Sequence, residues 1–95
     1  MINVKYYQDV KMVAMCDIEL LGKTLKSGNF EINVTERFYK GINMDKSQIA
    51  EILKDALNAN IIGEKSVKVA QELNFIKKEN IKHIAGVPHA IIVCV

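Results

Sequence analysis

Residues that crosslink or interrupt a chain are scarce in this sequence, which has two cysteines, one proline and five glycines in 95 residues. No segment is rich in proline, glycine or serine, so no linker divides the chain and we expect one domain over residues 1–95. Cys16 and Cys94 lie far apart in apolar stretches, which favours two buried free thiols over a disulfide. The cysteines therefore indicate a reducing compartment.

Long apolar runs, a secretory signal and a large net charge are also absent from the sequence. The longest apolar run is too short to cross a bilayer, and the first residues lack the basic and apolar regions of a signal peptide. Thirteen basic and eleven acidic residues leave a formal charge of +2, too small to indicate non-specific binding to a polyanion. We predict a cytoplasmic protein with no membrane partner.

The apolar residues that are present predict strands in the first part of the chain. Two short runs rich in β-branched and aromatic residues, separated by Gln8 and Asp9, predict a hairpin. Residues 30–35 alternate apolar and polar side chains, which predicts a strand with one buried face. The side chains predicted to face inward on that strand are Phe30, Ile32 and Val34.

Helical spacing follows in the middle of the chain. Asp45 with Gln48 three residues later resembles a capping box, which predicts the start of a helix. A second helix is predicted from about residue 64 to 73, with Asn74 as its C-terminal stop. Residues 91–95 do not alternate, so we expect a strand covered on both faces inside a sheet. The predicted fold class is α+β, with a mixed sheet of about five strands and two main helices on one face.

Gly22, Lys23 and Thr24 match the end of a phosphate-binding loop. The upstream glycine of that motif would fall at Asp17, whose charge and backbone freedom are wrong for holding a phosphate. We therefore reject a nucleotide triphosphatase. Asp17 is predicted instead to cap a short helical turn that stops at Gly22.

The atom types of a zinc site are present in two cysteines and two histidines, but their spacing is not that of a site. No pair of them forms the C-x-x-C or H-x-x-x-H chelate that nucleates metal binding. We predict core cysteines, unrelated histidines, and neither a metal nor a cofactor. The four residues are Cys16, His83, His89 and Cys94.

The segment Arg37, Phe38, Tyr39 and Lys40 interleaves basic with aromatic residues. This mixture is typical of surfaces that stack bases while contacting phosphates, so these four residues are the candidate RNA contacts. The alternative interpretation is that Phe38 continues the buried face of the preceding strand and that Gly41 turns the chain.

The segment AGVPHA, residues 85–90, predicts a rigid loop before the last strand. Pro88 fixes its own φ, and Gly86 permits a backbone conformation denied to other residues. His89 would then be held in a defined direction, where it could bind or transfer a proton. The alternative is that His89 only bonds a backbone carbonyl and closes the turn.

Three segments in this order and spacing, CDIELLGKTL, NANIIGEKSV and GVPHAIIV, resemble the archaeal DUF424 family of small proteins. The resemblance covers nearly the whole chain. It implies a compact cytosolic α/β protein from an archaeon, in a family whose name leaves the function unassigned, and it transfers no catalytic residue. The motif positions that indicate a shared functional site are Asp17, Leu21, Gly22, Lys23, Asn60, Gly63, Gly86, Pro88 and His89.

Three functions are compatible with these patterns. The first is a non-enzymatic binding module for RNA or a ribonucleoprotein of translation, because the chain is small, has local basic and aromatic clusters and lacks a complete catalytic constellation. The second is a small enzyme with a pocket at the Gly22, Gly63 and Gly86 loops, in which His89 acts as acid or base beside Asp17 or Lys23. The third is a protein interaction domain or homodimer, since a composition that is half apolar could leave a patch exposed.

Overall fold

The computed structural model describes residues 2–7 and 11–93 and contains two sheets and three α-helices. The strands are β1 (Ile2–Tyr7), β2 (Met12–Asp17), β3 (Thr24–Ser27), β4 (Phe30–Asn33), β5 (Ile42–Met44), β6 (Asn58–Ile62), β7 (Ile81–Ile84) and β8 (Val87–Val93). The helices are α1 (Glu36–Tyr39), α2 (Lys46–Lys54) and α3 (Glu64–Glu72), with short 3₁₀ turns at Ile18–Leu20 and Lys78–Asn80.

The main sheet is mixed and has the strand order β5-β1-β2-β6-β8-β7. Every neighbouring pair is antiparallel except β2 and β6, which run parallel in the centre. Strands β3 and β4 form a separate antiparallel hairpin. The chain is therefore α+β, with one strand more in the main sheet than the sequence predicts.

Helices α2 and α3 cover one face of the main sheet, which we call the helix face. Ile49 and Leu53 of α2 and Val67 and Ala70 of α3 are buried there with alternate residues of the central strands, such as Met15. The capping box predicted for α2 is present, since the Asp45 side chain accepts from the Gln48 backbone and the Gln48 side chain accepts from the Asp45 backbone. Asn74 ends the α3 segment with a positive φ of 65°, as predicted.

The opposite face of the sheet is covered only in part. Tyr39 of α1 and Val34, which follows β4, are buried with Ala14, Cys16 and Ile62 beneath them. This second core lies at one end of the sheet, toward the C-terminus of β2. The other end of this face is left to solvent around β6 and β8, and this asymmetry positions the candidate site.

Three predictions about the strands are wrong. Phe30 is 70% exposed because it lies at the end of the β3-β4 hairpin, next to the turn, rather than over the core. Pro88 and His89 belong to β8 and not to a loop. β8 does lie inside the sheet, but Ile91 is 53% and Val93 65% exposed, since no element covers them. Cys94, Val95 and the predicted turn at Gln8 and Asp9 lie outside the described residues.

Candidate functional site

Strand register arranges the side chains opposite the helix face in three rows across the sheet. Directly paired residues point to the same face, so each row can be followed from strand to strand. The rows are Tyr7, Met12, Asn58 and Val93; Lys5, Ala14, Asn60 and Ile91; and Asn3, Cys16, Ile62, His89 and Lys82.

Helix α1 lies over the β1 end of these rows and is held there by side chains of β1. Asn3 Nδ2 donates to the Tyr39 carbonyl at 2.9 Å. Lys5 Nζ donates to the carbonyl of Arg37 at 2.6 Å, and Tyr7 Oη to that of Phe38 at 3.0 Å. These carbonyls belong to a single helical turn and have no hydrogen-bond partner within it. The side chains of β1 provide the missing donors.

At the β8 end the rows are uncovered, and we call this surface the open face. Its members are exposed or half-buried side chains of β6, β7 and β8. They are Asn58, Asn60, Lys82, His89, Ile91 and Val93.

A hydrogen-bonded triad forms the boundary between the covered and open parts. Asn60 Oδ1 accepts from Tyr39 Oη at 2.9 Å and contacts His89 Nε2 at 2.9 Å. Because an amide oxygen only accepts, Nε2 of His89 carries the proton and Nδ1 of the neutral ring remains an acceptor. The triad thus fixes the orientation of both Asn60 and His89 at the edge of the open face.

Burial keeps the ionisable groups of this region neutral. Desolvation, with a smaller contribution from the positive charge of Lys82, lowers the pKa of His89. Burial, followed by the nearby Cys16, raises the pKa of Tyr39 to about 12. Burial, followed by Asp17 and Glu19, raises the pKa of Cys16 to about 12, which leaves that thiol protonated. The arrangement offers neutral donors and acceptors rather than a reactive charge.

The four candidate RNA contacts on and beside α1 are not equivalent. Tyr39 is 3% exposed, so the expectation that it stacks on a base is wrong; it is the core residue of this segment, in place of Phe38. Phe38 is half-buried, with its ring centroid 6.0 Å from that of Tyr7. Arg37 is exposed, and Lys40 Nζ lies 3.5 Å from a Glu36 carboxylate oxygen at the surface.

Asp17 caps α3 rather than its own helical turn. Its Oδ1 accepts from the Ser66 N–H and from Ser66 Oγ, both at 2.8 Å, and its Oδ2 accepts from the Lys65 N–H at 3.1 Å. The residue at the N-cap position of α3 is Gly63, with a φ of 115°, and a Cβ there would overlap the Asp17 carboxyl group. The predicted cap on residues 18–20 is therefore wrong, because the carboxylate accepts from N–H groups of a helix that lie 48 and 49 residues further along the chain.

The structure divides the predicted site residues between the two faces. Asn60 and His89 meet on the open face. Asp17 points to the helix face, where Gly63 donates its N–H to the Pro88 carbonyl at 3.0 Å. Lys23 is exposed in a separate place, where it lines a cavity of about 190 Å³ with Gly22.

Gly86 forms the β7-β8 turn with Ala85. Both residues have positive φ, 53° at Ala85 and 79° at Gly86, as a two-residue hairpin turn requires. Gly86 also lines a groove of about 670 Å³ beside α3, which is distinct from the cavity at Gly22. Leu21 is half-buried against the second core.

The zinc-type residues are dispersed where the structure describes them. Cys16 and His89 lie in one row with Ile62 between them, and His83 points to the helix face. Over residues 2–7 and 11–93 no group of three or more histidine, cysteine, aspartate or glutamate side chains is placed to hold a metal ion. In the same residues no helix is long and apolar enough to cross a membrane.

Comparison with known proteins tests the family resemblance. A profile of DUF424, described as "Protein of unknown function", matches residues 5–95. The chain belongs to the DUF424 family. The search of curated proteins finds no significant match.

The DUF424 fold has a counterpart among solved structures. A crystal structure titled as an uncharacterized conserved protein from Methanopyrus kandleri superposes with a TM-score of 0.79. The two sequences are 24% identical, and the match covers 99% of this chain and 93% of the other. At this identity the likeness shows a shared fold.

Two strands of the main sheet of this DUF424 protein, only one of which builds the site, were missed by sequence reasoning. Strand β6 has a detectable signal, because polar Asn58 and Asn60 alternate with buried Ala59 and Ile61. The exposure of Ile91 and Val93 has no signal in the sequence, because an uninterrupted apolar run predicts burial and does not indicate which face of the strand is left uncovered. Strand β5 is three residues long, too short for a periodicity to be recognised.

Proposed function

We propose that this DUF424 protein binds single-stranded RNA on the open face. The observation that carries the proposal is the contrast between the two faces of the main sheet. Two helices cover one of them, whereas the other presents exposed Ile91 and Val93 beside oriented Asn60 and His89. Sheet surfaces of this kind accommodate splayed bases, because a flat surface allows base faces and base edges to be contacted together.

The side chains of the open face have the chemistry that unpaired bases need. Asn58 and Asn60 carry amide groups, and His89 Nδ1 is an acceptor, so base edges find both donors and acceptors. Ile91 and Val93 offer apolar contact for base faces. On the side of α1, the half-buried Phe38 and Tyr7 rings lie next to each other and border the first row.

Cationic side chains lie at two sides of this surface, and the Glu79 carboxylate lies beside Lys82 and His89. Arg37 is exposed above one side of the rows, and Lys82 pairs with His89 at the other. Lys5 Nζ lies 5.1 Å from the centre of the Tyr7 ring, but it already donates to the Arg37 carbonyl. Arg37 and Lys82 would therefore contact phosphates, while the net charge of +2 keeps non-specific attraction weak.

The enzyme hypothesis receives less support from the geometry. His89 was expected to act with Asp17 or Lys23, but the Asp17 carboxylate faces α3 on the other side of the sheet. Lys23 lies beside β3 in its own cavity. His89 therefore shares its site with an amide and a neutral phenol, which suits hydrogen-bonded recognition better than proton transfer.

A pair of charge insertions tests the proposal. Ile91→Glu places a carboxylate in the centre of the open face, where we expect the affinity for a short fluorescein-labelled single-stranded RNA to fall by about tenfold or more. Ile42→Glu is the matched control, because Ile42 is 60% exposed on β5 at the far edge of the sheet. Fluorescence anisotropy titrations measure both affinities, and circular dichroism confirms that both variants fold.

Salt dependence provides a second measurement in the same experiment. Arg37→Ala combined with Lys82→Ala should reduce the magnitude of the slope of log affinity against log salt by about 1.4, since two phosphate contacts to a single strand are lost. Lys26→Ala on β3 should leave the slope unchanged. Equal binding by the parent and by Ile91→Glu, or no binding of RNA by the parent, would refute the proposal.

A further inference from the structure

A groove on the helix face lies between α3 and β7, away from the open face. Its volume is about 670 Å³, and it is lined by side chains of α3, of β7 and of the adjoining turns. Val67, Ile81 and Pro88 form its apolar part, and Val67 and Pro88 are buried. The groove thus combines an apolar floor with one side made of a strand and another made of a helix.

The strand that borders the groove has an unpaired edge. β7 is the last strand of the main sheet, where it pairs with β8 on one side only. On its other side β7 has no strand partner, although β3 of the separate hairpin approaches it, so alternate residues of β7 have backbone N–H and C=O groups outside any ladder. Its four residues span about 13 Å, a length at which an added strand would form a short ladder.

The charges at the rim of the groove are mostly positive. Lys68 of α3 and Lys78 of the 3₁₀ turn line it together with the carboxylate of Glu64, and the His83 ring of β7 lies beside them. All four side chains are exposed, so the charges are available to a partner. A partner with carboxylates would therefore be attracted to this rim, whereas a basic one would be repelled.

We propose that this groove binds an extended acidic segment of a partner protein, which adds to β7 as a further strand. The backbone of the segment would pair with the outer edge of β7, alternate apolar side chains would enter the groove beside Ile81, and its carboxylates would meet Lys68 and Lys78. A free strand edge beside a helix matches a polypeptide rather than a nucleic acid, because only a polypeptide can continue the backbone ladder. The inference is independent of RNA binding and concerns the other face of the sheet.

The test uses a capped heptapeptide of alternating glutamate and valine, added to the ¹⁵N-labelled full chain. We expect saturable shifts of backbone amide resonances in β7 and along α3, together with slower hydrogen exchange of the β7 amides that point outward. Two control peptides should each bind at least about tenfold more weakly. A heptapeptide with lysine in place of glutamate loses charge complementarity. The acidic peptide with alternate amides N-methylated loses strand pairing.

Charge reversal on the protein provides the complementary test. Lys68→Glu with Lys78→Glu should weaken binding of the acidic peptide by about tenfold or more and should favour the lysine peptide. Lys40→Glu, an exposed change beside α1 near the opposite edge of the sheet, is the matched control and should leave both affinities unchanged. The proposal is overturned if the acidic peptide produces no shifts, if its shifts fall on the open face, if the N-methylated peptide binds equally well, or if a uridine oligonucleotide shifts the same groove resonances.

Discussion

His89 shows how one side chain acquires a defined protonation state from its surroundings. Its ring is partly buried between Asn60 and Lys82, and both the loss of solvent and the lysine charge disfavour the imidazolium form. The pKa of His89 in the folded chain is therefore below the ordinary 6.5. In the unfolded chain it returns to about that value.

A pH dependence of stability follows from this difference. Below about pH 6.5 the unfolded chain binds a proton at His89 more readily than the folded chain does, so the free energy of unfolding should decrease as the pH falls through 6.5 toward the folded pKa. Above that range the contribution of the neutral ring is fully present. His89→Gln keeps a donor for Asn60 and should reduce the pH dependence.

Urea denaturation at a series of pH values between neutral and mildly acidic measures the effect. His83→Gln is the control, because His83 is exposed and lies on the other face of the sheet. A pH dependence that persists unchanged in His89→Gln would contradict this account of the side chain.

At the scale of secondary-structure elements, the N-terminus of helix α3 is capped by a residue that belongs to a strand. The N-cap position of the helix is Gly63, which has no side chain to cap it, and the Asp17 carboxylate at the end of β2 takes that role. Asp17 is 4% exposed and Ser66 is fully buried, so the two Ser66 donors that meet the carboxylate are shielded from water. β2 and α3 are thereby joined by three hydrogen bonds in addition to their apolar contacts.

We expect Asp17→Ala to lower the free energy of unfolding by about 2–4 kcal/mol, because it leaves buried donors at the start of α3 without an acceptor. Glu19→Ala is the matched control: this exposed carboxylate pairs with Lys65 Nζ at 3.2 Å in solvent, and its removal should change stability little. Urea denaturation measures both variants. Asp17→Ala with the stability of the parent would show that the carboxylate does not serve as the cap.

The β7-β8 turn is the second element whose stability depends on special backbone conformations. Ala85 occupies a left-handed conformation that is unfavourable for alanine, whereas Gly86 adopts its positive φ without a steric penalty. Ala85→Asn should therefore raise the free energy of unfolding by about 0.5–1 kcal/mol, and Gly86→Ala should lower it by about 1 kcal/mol.

The two turn variants test the same backbone geometry, because they should change the free energy of unfolding in opposite directions. No atom lies near the position of an added Gly86 Cβ, so the expected loss at Gly86 comes from backbone conformation and not from a clash. Thermal unfolding of the two variants measures the direction of each change in stability. Destabilisation by Ala85→Asn would show that residue 85 does not require a left-handed backbone.

At the scale of the whole molecule, the two faces of the main sheet have different roles. The helix face holds the larger core and, at its β7 edge, the groove with basic residues. The opposite face is divided between the smaller core and the open face. Exposed Ile91 and Val93 on the open face admit a competing explanation, the homodimer, in which a second copy would cover them.

We expect the purified protein without RNA to have the mass of a single chain, because the apolar part of the open face is small and is interrupted by Asn58, Asn60 and Lys82. Size-exclusion chromatography with light scattering measures the mass. Ile42→Glu on the opposite edge controls for general effects of an added charge. A dimer that dissociates on Ile91→Glu would contradict the expectation and assign the open face to self-association.

The sequence by itself determined the features that depend on neighbouring residues along the chain. The start of α2 is set by Asp45 and Gln48 three residues apart, and the end of the α3 segment by Asn74. The positive φ of Gly86 follows from the turn in which it stands. The family motifs were likewise readable, since they are short segments in a fixed order, and they led to the correct family.

The tertiary structure decided which residues meet and which faces are covered. Asp17 has the local signature of a cap for residues 18–20, but a distant helix offers its N–H groups in a buried site and takes the carboxylate. Asn60 and His89 are brought together by the pairing of β6 with β8, which no local pattern encodes. Ile91 and Val93 read as core residues and are exposed, because burial depends on what packs over a strand and α1 ends short of β8.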